Sequence, residues 1–134
     1  YERIDLAQKR IQEVDLAVFE SMQPNDILFV DSTHVSKTGS DVNWILFQVL
    51  PRLQSGVYIQ FHDIFYPFEY PPEWVMHGRA WNELYLLRAF LACNERYKIV
   101  LFNSFLQQWA KPTLNARMSA CLKTIGGSLW LRKL

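Results

Sequence analysis

Twice in this chain an apolar run rich in strand-forming residues stops at an Asp/His pair. Ile27–Val30 leads into Asp31 and His34 ("ILFVDSTH"), and Val57–Phe61 leads into His62 and Asp63 ("VYIQFHD"). Runs this short are poor helices and read as buried strands. A strand that is apolar on both faces belongs in a parallel sheet covered on both sides. In such sheets the chemistry collects just beyond the carboxyl ends of the strands. The two tips therefore predict one rim carrying Asp31, His34, His62 and Asp63.

The other elements fit around that sheet. Arg3–Ala7 reads as a strand, Gln12 and Glu13 as a polar turn, and Asp15–Met22 as a helix, with "QPND" a loop before Ile27. Ser40 or Asp41 caps a helix whose Val42, Ile45, Leu46, Val49 and Leu50 have helical spacing, and Pro51 ends or bends it. "YPFEYPPEW" holds three of the six prolines and reads as an irregular loop. "RAWNELYLLRAFLACN" is an amphipathic helix with Trp81, Leu84, Tyr85, Ala89, Leu91 and Ala92 on its core face. "YKIVLFNSF" is a strand, and "GGSLWLRKL" a last one after the Gly126–Gly127 pair. No clear helix separates these two, although a short one within Lys111–Thr124 stays open, and they are expected to pair as a hairpin. Strands alternating with helices imply βαβ units. The expected fold is α/β: a doubly wound, mostly parallel sheet with an antiparallel C-terminal edge.

A chain of 134 residues, half of them hydrophobic, suits one domain with a real core. Its 14 basic and 13 acidic residues leave a net charge of +1, which gives no electrostatic reason to expect nucleic acid or an anionic membrane as partner. No apolar run approaches the roughly 18 residues of a membrane span, and no signal-peptide pattern is read. Cys93 and Cys121 lack metal-type spacing and are expected as buried or half-buried thiols in a reducing, cytoplasmic setting. Nothing matches a phosphate-cradling glycine loop.

Several chemistries suit the rim. Asp31 and Asp63 can each offer an oxygen to a hard divalent cation such as Mg²⁺. His34 is suited to take a proton from a substrate hydroxyl, and His62 to ligate, position or hydrogen-bond. The plainer alternative is that Asp31 only caps a turn and that each histidine is structural. Trp81, Asn82 and Glu83, following the proline-stiffened aromatic loop, are candidates for a substrate wall, with ordinary packing or helix capping as the alternative. Spacing alone leaves hydrolase, lyase and transferase open.

Taken together, "NDILFVDSTHVSKTGSDVNWILFQVLPRL", "GVYIQFHDIFYPFEYP", "WNELYLLRAFL" and "GGSLW" resemble the class I S-adenosylmethionine-dependent methyltransferases. The nearest likeness is to the bacterial branch catalogued as methyltransferase domain family 24, and it runs from about Ile11 to Trp130. The resemblance implies a Rossmann-like sheet with a reversed last strand. It also implies that the family's glycine-rich loop and ribose-binding acid, absent here, belong to earlier strands. Residues 1–134 are then the C-terminal part of a single domain, with the N-terminal half of that domain as partner.

The resemblance further implies S-adenosylmethionine as cofactor, contacted by Gln12, Glu13 and Asp31. It assigns His34 as base with Asp31 beside it, and Asp31 with Asp63 as ligands of Mg²⁺ where a metal is used. His62 stands where metal-dependent relatives often have a carboxylate. The implied activity is methyl transfer to a hydroxyl of a small or sugar-like acceptor, with His62, Trp81, Asn82 and Glu83 facing that acceptor. The competing expectation is a non-catalytic remnant or assembly module that self-associates through open sheet edges. Metal-dependent hydrolysis ranks third.

Overall fold

The computed structural model describes residues 3–124 and 126–134. A 3-10 turn (Ile11–Glu13) and α1 (Leu16–Glu20) precede β1 (Ile27–Val30). A helix then runs through α2 (Asp41–Trp44), a π-wound segment (Ile45–Val49) and α3 (Leu50–Arg52) to β2 (Tyr58–His62). Next come α4 (Pro72–Met76), α5 (Glu83–Ala92), β3 (Tyr97–Phe102), α6 (Asn103–Trp109), α7 (Lys111–Arg117), a 3-10 turn (Ser119–Leu122) and β4 (Ser128–Lys133).

The sheet order is β1-β2-β4-β3. β1 and β2 are parallel, with Val30 opposite Phe61, and β4 runs antiparallel to both of its neighbours. The fold is thus the expected α/β class, a partial Rossmann-like sheet with three strands in one direction and one reversed. The last two strands pair antiparallel as expected, but not as a hairpin, because α6, α7 and a 3-10 turn lie between them; β4 slots between β2 and β3 and leaves β3 on the rim of the sheet.

One face of the sheet makes the core. Val30, Ile59, Phe61, Leu129 and Leu131 are buried there with Val42, Ile45, Leu46, Val49 and Leu50 of the long helix, and with Leu84 and Leu87 of α5. Ser40 caps that helix by accepting from Asn43 N, as its place before the apolar spacing predicts. Pro51 lacks an N–H and its ring crowds the carbonyl four residues back. The turn before it is wound wide, Leu50 N–H reaching Ile45 O, and the helix ends at Arg52. Its terminal carbonyls are met from the sheet: Lys133 Nζ donates to Leu50 O at 3.0 Å and Pro51 O at 2.9 Å, and the Tyr97 hydroxyl to Leu50 O at 2.6 Å.

The opposite face is largely bare. Ile27 and Phe29 are exposed there, and Ile27, Tyr58, Trp130 and Val100 line a shallow apolar hollow. Among the described residues β1 has no neighbour on its outer side.

Several local expectations need correction. Residues 3–10 are exposed and carry no strand, because an alternating segment without a partner strand has nothing to satisfy its backbone. The proline loop contains α4, which starts at Pro72, the one helical position where a missing N–H costs nothing. The strand read through Phe105 ends at Phe102, and α6 begins at Asn103. Ser104 is drawn away to accept from Tyr66 N at 2.8 Å. On α5 the buried apolar positions are Leu84 and Leu87, while Tyr85 points outward to donate to Glu69 at 2.8 Å. Ala89 and Ala92 are exposed as well. Both cysteines are exposed rather than buried, Cys93 at the end of α5 and Cys121 in the last 3-10 turn. No helix among the described residues is long and apolar enough to cross a membrane.

Candidate functional site

Parallel pairing of β1 and β2 puts both polar tips on one rim. Asp31 and His34 leave β1, His62 and Asp63 leave β2, and the Asp63 charge is felt at the His34 imidazole. His34 and Asp63 both adopt left-handed backbone, φ 58° and 55°. Such conformations cost energy in residues with a Cβ, and those that persist cluster at functional sites.

The loop from Asp31 to Ser36 is clamped between two helix starts. On one side Asp41, the first residue of α2, accepts from Thr33 N at 2.8 Å and Thr33 Oγ at 2.6 Å. Those bonds outweigh the desolvation that pushes the other way and hold the Asp41 carboxyl below its ordinary range. On the other side the start of α5 grips His34: Asn82 N and Glu83 N both donate to His34 O, at 3.0 and 3.1 Å. The Asn82 side chain accepts from Ser36 N at 2.6 Å and donates to Ser36 O at 3.2 Å.

His34 itself is buried, 5% exposed. Its Nδ1 lies 2.8 Å from Glu83 Oε2 and its Nε2 3.5 Å from Asp31 Oδ1. Trp81 lies against the ring, centroids 4.2 Å apart. Burial pulls the imidazole down, but the hydrogen bond and charge of Glu83, with Asp63 and Asp31 behind them, more than offset it. The net effect lifts His34 above its ordinary value. His62 is half-exposed, its Nε2 3.4 Å from Asp63 Oδ1. Asp63 N donates to Gly127 O at 2.7 Å, which ties the second tip to the start of β4.

Beside Asp31 opens a cavity of about 480 Å³, walled by Ile11, Gln12, Phe29, Ser32 and Thr33 among others. Gln12 donates to Gly39 O across it at 3.0 Å. Glu13 is turned away, its carboxylate accepting from Arg10 N and paired with the Arg10 side chain at 3.6 Å. Of the residues expected at the rim, Asp31, His34 and Asp63 come together. Asn82 and Glu83 hold the loop instead of standing open to a ligand. Thr33 and Asp41 escaped sequence reasoning, since an acid at a helix start reads as a cap whatever else it holds. No group of three or more His, Cys, Asp or Glu placed to hold a metal ion occurs among the described residues.

A one-way trio of strands with its charged loops gathered at their carboxyl ends defines a Rossmann-like α/β protein. The sequence points to a kind: a family model described as a methyltransferase domain matches residues 2–64, and supports a methyltransferase domain there. The match takes in β1, β2 and the whole Asp31–Asp63 rim, and ends before α4, α5 and β4. No curated protein and no solved structure matches the chain.

Proposed function

We propose that this domain transfers a methyl group from S-adenosylmethionine to a hydroxyl of a small or sugar-like acceptor, with His34 taking the hydroxyl proton. What carries the reading is His34: buried, conformationally strained, braced on Nδ1, its Nε2 turned to Asp31 beside the cavity. His34, Asp31 and the cavity beside them lie inside the segment matched to a methyltransferase domain, while the Glu83 that braces Nδ1 lies beyond it.

The cavity has the size of a small-ligand site, typically about 300–1,000 Å³. Gln12 and Asp31 are the residues that would hold the cofactor there, Asp31 offering a half-exposed carboxylate to a positive centre. When bound, the cofactor supplies an activated methyl group on a sulfonium. The protein's share is then alignment and deprotonation. His34 accepts the acceptor's proton on Nε2, and Asp31 steadies the imidazolium that results. Trp81 restricts ring rotation, and His62, half-exposed beyond Asp63, is left to meet the acceptor. Among the described residues no third His, Cys, Asp or Glu joins Asp31 and Asp63 to hold a metal ion, and no step is routed through Mg²⁺.

The bare sheet face favours the view that residues 1–134 form the C-terminal part of a domain whose N-terminal half covers Ile27, Phe29 and Trp130. In this reading the exposed thiols belong in a reducing cytoplasm. The same face supports the second reading, an assembly module without catalysis.

Calorimetry with S-adenosylmethionine separates the two. Binding that Asp31→Asn weakens, with turnover abolished by His34→Ala at nearly unchanged cofactor affinity, is the expected result. No binding by this chain or by the completed domain refutes the methyl-transfer reading, and turnover surviving in His34→Ala removes His34 as base. Added Mg²⁺ that raises turnover would restore a metal to the mechanism.

A further inference from the structure

We propose that Glu83 is the positioning residue of this site, fixing the His34 proton on Nδ1 so that the Nε2 lone pair faces Asp31 and the rim. The inference rests on the reading of His34 as base, and deepens it.

Two carboxylates compete for the imidazole proton. Glu83 Oε2 is 2.8 Å from Nδ1, and its side chain is 2% exposed. Asp31 Oδ1 is 3.5 Å from Nε2, and its side chain is 54% exposed. The first is a short hydrogen bond in a dry setting, the second a long contact that water screens. Asp63 adds negative charge nearby without contacting either nitrogen within hydrogen-bond reach among the described residues. Glu83 therefore decides the tautomer, because the nitrogen that finds the stronger acceptor keeps the proton.

The pair makes poor sense as a structural fastening. The other Glu83 oxygen, Oε1, is buried with no partner among the described residues. A buried ion pair left partly unsatisfied is commonly no better for stability than apolar residues of equal volume. The site nevertheless spends the first residue of α5 on His34 twice over. Glu83 holds its ring through the side chain and its carbonyl through the main-chain N–H. With Trp81 against the ring, rotation and tautomer are set together. Orienting a base through its second nitrogen is the logic of the catalytic triad, reached here with a buried glutamate.

Nitrogen-15 spectra of the imidazoles test this on the chain alone, His34 being assigned by its loss in His34→Gln. The expected wild-type signal, above the imidazole titration, has a pyrrole-like Nδ1 and a pyridine-like Nε2. Glu83→Gln keeps an acceptor and should retain that tautomer. Glu83→Leu should reverse it, moving most of the proton to Nε2. In the complete enzyme Glu83→Leu should lower kcat at least tenfold with KM little changed, and Glu83→Gln should recover part of it. A wild-type His34 protonated on Nε2, or a Glu83→Leu protein with wild-type tautomer populations, overturns the assignment. Should the leucine variant not fold, the wild-type spectrum and the kcat of Glu83→Gln against Glu83→Ala decide. The tautomer spectra stand apart from the base reading, which fails if His34→Ala keeps its turnover or if no cofactor is bound.

Discussion

The end of the long helix offers a test in which the size of the effect can be worked out beforehand. Lys133 is 7% exposed and donates to Leu50 O and Pro51 O, while the Tyr97 hydroxyl donates to Leu50 O as well. Lys133→Met preserves the stem and removes the ammonium. A hydrogen bond from a charged donor contributes about 1.5–3 kcal/mol, and an orphaned buried carbonyl costs about 1–3 kcal/mol. Against this stands the desolvation of the ammonium, which with the Arg96 charge pulls the Lys133 pKa below its ordinary value. Leu50 O also keeps its tyrosine donor, so only Pro51 O goes without. The net loss should be about 1–2 kcal/mol. Tyr97→Phe alone, with Lys133 still on Leu50 O, should lose about 1 kcal/mol. The double variant leaves Leu50 O only the Leu53 N–H at 3.2 Å, and should lose about 0.5–1 kcal/mol more than the sum. Urea unfolding followed by tryptophan fluorescence reads all four proteins at constant slope. Additive losses, or a neutral Lys133→Met, would refute the shared-carbonyl reasoning.

Two further outcomes follow from particular contacts. Gly127→Ala would place a Cβ 2.5 Å from the buried Phe65 ring, and it lies at the carbonyl that anchors Asp63. A loss of about 1–3 kcal/mol is expected, together with weakened acceptor binding; a Gly127→Ala protein with wild-type melting would show that Phe65 yields freely. His34 stands above its reference value of 6.5 in the folded protein, so its contribution to stability is complete below that value and fades as pH rises through the folded one. The melting difference between wild type and His34→Gln should therefore narrow as the pH is raised above the 6.5 reference, and a gap that widens would contradict the sign.

How far the sequence reveals this molecule depends on whether the deciding interaction is local. The long helix was readable because its cap, Ser40, and its apolar spacing sit within one stretch, and so was its end near Pro51, one residue before the helix stops at Arg52. The rim was readable because two strand ends share a pattern and parallel pairing does the rest. The segment at Arg3–Ala7 misleads because strand-like alternation carries no information about whether a partner strand exists. The insertion of β4 between β2 and β3 is equally invisible, as either neighbour would satisfy the same apolar face. Glu83 shows the limit at the site itself. Its residue type and place announce a helix start, and its real partner lies 49 residues upstream, where only the folded chain brings it.

Among the described residues β1 is both the outermost strand, open along one side, and the strand whose last residue hands over to Asp31. Any backbone laid along Ile27–Val30 would thus pair with the strand that leads directly into Asp31. A strand added there would lie one residue from the carboxylate beside the cavity, so the margin that completes the sheet and the rim that carries the charges are neighbours along the same four residues.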